Sequence, residues 1–148
     1  MKPSEVIAKA DRNRPNMLTT EEKYFALNEI EGRVYNEILM MHVHPADLEK
    51  PQYAPPEDEE PADDNESEQQ EETEEETEEE TTEEPDMLVP DDYAKLYWYW
   101  LYCEIDDVNQ ETERYNADRA LFEDAWGNFG DYWTRTHMPL TASAGFSV

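Results

Sequence analysis

The residue types in this chain that could do chemistry are few and loosely grouped. His42 and His44, with Asp47 and Glu49 close behind, are metal-ligand types. If this stretch is helical, residues two apart point to different sides, and no third histidine lies near in sequence. The pair therefore reads as a helix C-terminus that favours partly protonated histidines, not as a metal site. Glu104 and Asp107 are carboxylates at helical spacing, the raw material of general acid–base catalysis. No partner motif accompanies them, and a solvated helix edge is the simpler reading. Cys103, the single cysteine, sits among aromatics and reads as a small packed hydrophobe. The run Tyr97-Trp98-Tyr99-Trp100-Leu101-Tyr102 could stack nucleic-acid bases, yet no basic stripe accompanies it. The four glycines form no G-x-G pattern. The sequence thus predicts a protein that is not an enzyme and carries no cofactor and no metal.

Charge is the next strongest signal. The chain has 39 acidic and 11 basic residues and a net charge of −28. Residues 57–86 hold 19 of the acids and no Lys or Arg, so the remainder carries 20 acids against 11 bases, or −9. Like charges three and four apart oppose a helix there, and nothing in the tract repays an ordering entropy of roughly 1–2 kcal/mol per residue. The expectation is a long, disordered acidic loop. A fold tolerates such an insert, since each doubling of loop length costs only about 0.6 kcal/mol.

The flanks predict the elements that must position everything else. Ser4 is placed to cap a first helix over 5–13, ended by Pro15. Thr19 and Glu22 form a capping box for a second helix. Its apolar positions Leu27, Ile30, Val34, Ile38 and Met41 recur at three and four, Gly32 would admit a close neighbouring helix, and Pro45 marks the end. Pro90-Asp91-Asp92 opens a third helix running to about residue 109, aromatic on every side. An apolar surface all round must be covered all round, so part of this helix is expected to meet another chain. A fourth helix runs to about residue 135 with a seam of Tyr115, Phe122, Trp126, Phe129 and Trp133, and Gly127 and Gly130 would make room for bulky neighbours. The predicted fold is all-α, a small four-helix bundle-like domain with the acidic loop between helices 2 and 3. Residues 1–54 and 90–139 form its two halves, 55–89 the loop, and 140–148 a tail. The candidate core is Leu27, Ile30, Val34, Ile38, Leu101, Ile105, Phe122, Trp126, Phe129 and Trp133. The candidate subunit or partner interface is Tyr97, Trp98, Tyr99, Trp100, Tyr102 and the tail residue Phe146. One cysteine fits a reducing compartment, the N-terminus lacks a signal-peptide apolar segment, and no run approaches the roughly 20 apolar residues that span a bilayer.

The string NEIEGRVYNEI at 28–38, and the stretch 91–139 from DDYAKLYWYW to RTHMP, carry a family likeness. Its best-matched elements are Asp92-Tyr93 with Tyr97, the ERYN at 113–116 followed by Ala120-Leu121-Phe122, and the closing RTHMP. Together they resemble the small head–tail connector (adaptor) proteins encoded by tailed phages and prophages, mostly of Gram-positive hosts. The chain departs from that pattern in its Glu-rich loop and at Asn109-Gln110-Glu111, where the likeness would put Asn-Gly-Glu. The resemblance implies a virion structural protein of the capsid–tail junction, assembled in the host cytoplasm. Such a protein forms a homo-oligomeric ring, commonly a dodecamer, under the portal protein and bridges it to a stopper or tail-completion protein. DNA passes through the channel without sequence-specific binding, and no membrane is involved. Two rivals come from the charge alone: a DNA mimic binding a basic partner through the Glu-rich loop, and a histone-chaperone-like module. Both predict binding that falls steeply with salt.

Overall fold

The computed structural model describes residues 1–57 and 83–140. The expected disorder of the acidic tract, and the anchoring role of Phe146, fall largely or wholly outside them. Among the described residues the chain is all-α, with four helices: α1 Pro3–Asn13, α2 Thr20–Arg33, α3 Lys95–Val108 and α4 Thr112–Thr136. Their order and their placement on either side of residues 58–82 match the sequence reading.

Local chemistry accounts for each start and stop. At α1 the cap is Lys2 rather than Ser4, because Pro3 takes the first helical position, where its missing N–H is harmless. Glu5 reaches back to the Lys2 amide at 2.7 Å. The α2 capping box forms as predicted, the Thr19 hydroxyl accepting from the Glu22 amide at 3.2 Å while Glu22 accepts from the Thr19 amide at 2.7 Å. α2 does not run on regularly. It passes into a π turn over Val34–Ile38 and a 3-10 turn over Leu39–Met41. The wider turn slips the apolar stripe by one residue, so Ile38 and Leu39 turn inward while Met41 is 53% exposed.

α3 and α4 form an antiparallel hairpin, because low-numbered rings of one meet high-numbered rings of the other. Tyr93 stacks on Tyr132 at 4.6 Å, and Trp100 meets Phe122 at 5.1 Å. Between the helices Gln110 adopts φ 59°, the left-handed region that favours glycine. That is the position where the family likeness would put glycine.

The hairpin is covered by α1 and α2. Leu27, Ile30, Val34, Ile38, Leu101, Ile105, Phe122 and Phe129 are buried, as the sequence predicts; Trp126 and Trp133 are only half-buried and pack on the core from its rim. Two ion pairs tie α1 to its neighbours, Arg14–Asp118 at 2.8 Å and Lys23–Asp11 at 2.7 Å. The glycines play other parts than expected. A Cβ at Gly32 would meet the Lys50 side chain at 3.1 Å, not a second helix, and Gly127 and Gly130 face open space.

The border between helical domain and acidic loop also moves. Tyr53, Met87 and Val89, assigned to the domain edge and to the loop, are all buried in the same core. The two limbs of the loop therefore leave and re-enter the fold side by side, with the Tyr53 hydroxyl 3.4 Å from the Asp86 carbonyl.

Candidate functional site

The aromatic run of α3 was the first candidate for a surface, and the structure turns most of it inward. Tyr97, Trp100 and Tyr102 are buried within this chain. The Trp100 indole N–H donates to the Ala26 carbonyl at 3.0 Å, and the Tyr102 hydroxyl accepts from Asn13 at 2.8 Å. Trp98 is half-buried under the Lys9 ammonium, 3.7 Å from its ring centroid. Tyr99, half-buried, lines a groove between α3 and α4. The intermolecular assignment of Tyr97, Trp100 and Tyr102 gives way to a core assignment. α1, α2, α4 and the returning limb of the loop together cover a helix for which sequence alone offered too few covers.

At the centre of that cover sits a residue that sequence reasoning passed over, the fully buried Glu31. Tyr97 donates to its Oε1 at 2.7 Å, Tyr53 to its Oε2 at 2.7 Å, and the Leu88 amide to Oε2 at 3.2 Å. Tyr97 in turn accepts from the Val89 amide at 3.0 Å. One carboxylate thus joins α2, α3 and both limbs of the loop. Burial pushes its pKa up, and the three donors oppose that shift by favouring the charged form. The same burial and the facing carboxylate hold both tyrosines well above their ordinary value. The signal was present in the sequence: Glu31 lies four residues after Leu27, on the apolar stripe of α2.

Glu84 closes the stem from the other side, accepting from the Tyr24 hydroxyl at 2.7 Å and from the Ser4 amide at 3.1 Å. A carboxylate at the first turn of α1 also favours the helix dipole.

The carboxylates that meet are not Glu104 and Asp107 but Asp106 and Asp118. Asp118 is held by Arg14, while Asp106, 1% exposed, has its Oδ2 without a hydrogen-bond partner. Burial, followed by the neighbouring Asp118, raises Asp106 to about 6. Glu104 lies half-buried on the other side of α3, raised by burial and then by Glu29 and Asp107. Cys103 is buried, and its thiol is pushed up to about 12, chiefly by burial. His42 and His44 lie beyond the helical turns, His42 in extended backbone. His42 Nδ1 is 2.7 Å from the Ile38 carbonyl, His44 Nδ1 is 2.7 Å from the His42 carbonyl, and His42 Nε2 is 3.3 Å from the Thr134 hydroxyl. Among the described residues no group of three ligand-type side chains is placed to hold a metal, and no helix is long and apolar enough to cross a membrane.

What remains open is surface. Exposed apolar side chains gather at two ends of the bundle. At one, Phe25 and Val108, 72% and 56% exposed, flank a groove between α2 and α3. At the other, Met41 and Val43 lie beside Met138, where the Val43 amide donates to the Met138 carbonyl at 2.7 Å.

No protein-family model, curated protein or solved structure matches this chain.

Proposed function

We propose that this chain is a virion structural subunit of a tailed phage, a head–tail connector that forms a ring under the portal and bridges capsid to tail. The observation that carries the reading is the pair of exposed apolar patches at opposite ends of one bundle. Sixteen residues separate Phe25 on α2 from Met41 in the 3-10 turn beyond it, roughly 24 Å at about 1.5 Å per residue, so one chain cannot cover both patches with each other. A closed ring needs that arrangement, because a heterologous interface brings one face of each subunit against a different face of the next. The likeness at 28–38 and 91–139 supplies the rest: a portal above, a stopper or tail-completion protein below, and a DNA channel between. The chemistry of the buried groups fits a scaffold, since Glu31, Asp106 and Cys103 are all enclosed within the bundle.

Mass photometry of the purified chain, alone and with portal protein, tests this. A ring mass, or a discrete complex with portal, is expected, and apolar contacts should survive high salt. A monomer under every condition overturns the reading. Binding to a cationic protein that collapses as salt rises would favour the rival acidic-decoy reading.

A further inference from the structure

Resting on the ring reading, we infer which faces meet: the acid-rimmed groove between α2 and α3 of one copy receives the C-terminal end of α4 of the next copy, Met138 against Phe25 and Val108, and Arg135 among the rim carboxylates. The groove encloses about 440 Å³. Its exposed Phe25 and Val108 are edged by Glu21, Glu22, Glu29 and Glu104, and among the described residues no basic side chain lines it. That is an apolar seat inside a ring of uncompensated negative charge. The crowding registers on Glu104, whose carboxyl is raised by burial and then by Glu29 and Asp107. A cation from outside would relieve it.

The far end of the bundle supplies the complement. Arg135 is exposed, three residues before Met138, which is itself 69% exposed. Asp92, Asp124 and Asp131 share the α3–α4 groove with Arg135 and Lys95. Even so, among the described residues neither base lies within ion-pair distance of a carboxylate. His42, His44 and His137 lie at the same end. In a chain of net charge −28, Arg135 and Lys95 are cations that this end can offer an acidic groove, and apolar area is already exposed on both sides. The two surfaces differ and lie at opposite ends, so the contact repeats head to tail, as a ring requires.

Charge exchange tests the pairing. Glu29 and Arg135 are both exposed, so Glu29→Lys and Arg135→Glu should each keep the helical circular dichroism and a cooperative thermal melt. Each alone should raise the concentration at which rings form, read by mass photometry, by about tenfold or more, and the double variant should recover most of the loss. Met138→Ser, which removes the apolar contact without touching charge, should weaken assembly in the same assay. If wild-type rings form and the charge variants assemble equally well, or the double variant shows no recovery, this pairing is wrong and the ring closes through other faces. If wild-type chains stay monomeric even with portal, the ring reading itself falls.

Discussion

Tyr97 on α3 and Glu31 on α2 meet in the interior, the tyrosine hydroxyl donating to the carboxylate at 2.7 Å with both side chains fully enclosed. The pair stands at the root of the acidic loop, and Tyr53 and the Leu88 amide complete it. Replacing Glu31 with Ala strands two hydroxyls and an amide, and should lower stability by roughly 3–5 kcal/mol. Glu31→Gln keeps the shape and should lose about 1–2 kcal/mol, because one face of the amide presents N–H to a donor. Urea denaturation measures both. Equal, small losses would show that the clasp contributes little.

The Asp106–Asp118 pair should make stability depend on pH. Asp106 is raised in the folded state from an ordinary 3.8 to about 6. A carboxyl raised on folding stabilises below its unfolded pKa and loses that contribution as pH rises through the folded one. Stability should therefore fall between about pH 4 and pH 6 from this group. Asp106→Asn offers an N–H toward Asp118 at every pH. It should remove that decline and leave the variant more stable than wild type at pH 7 by about 1–3 kcal/mol. Thermal melts across the range read the difference; a variant less stable at pH 7 would contradict it.

The turn between α3 and α4 holds Gln110 at φ 59°, a conformation that strains any residue with a Cβ. Gln110→Gly should stabilise the chain by roughly 0.5–1 kcal/mol, the relief of strain exceeding the added unfolded-state entropy of glycine. A fall in melting temperature would refute it.

The aromatic seam of α4 is unequal. Phe122 is 2% exposed, whereas Trp126 sits half-buried beneath the Arg33 guanidinium, 5.0 Å from its ring centroid. Phe122→Ala should cost about 3–5 kcal/mol, and Trp126→Ala, which leaves a dent at the rim and not a cavity, about 1–2 kcal/mol. Denaturation midpoints at constant m-value decide the order.

Deleting residues 59–83 and joining the limbs with a short Gly/Ser linker should leave melting temperature nearly unchanged, because the stem contacts of Tyr53, Glu84 and Met87 stay in place. Glu84→Ala in the full chain should instead cost about 1 kcal/mol, through the lost bonds to Tyr24 and Ser4. A loss above about 2 kcal/mol on deletion would show that the tract itself is built into the fold.

Local signals by themselves determined the class and order of the elements. Thr19 and Glu22 placed the start of α2, the three- and four-residue spacing from Leu27 to Ile38 placed its buried face, and Pro90 placed the opening of the second half. These are short-range effects, carried by caps, dihedrals and the 3.6-residue period, so one sequence suffices to read them. Tertiary structure alone decided what the aromatic helix touches. Whether Tyr97 faced a partner or the core depended on Tyr53 and Val89, 44 and 8 residues away, folding back over it around Glu31. The meeting of Asp106 and Asp118 likewise depended on the antiparallel return of α4, and the exposure of Met41 on a single π turn. Burial is a property of how elements pack. A chain read in one dimension records which residues want to be covered, and the fold decides what covers them.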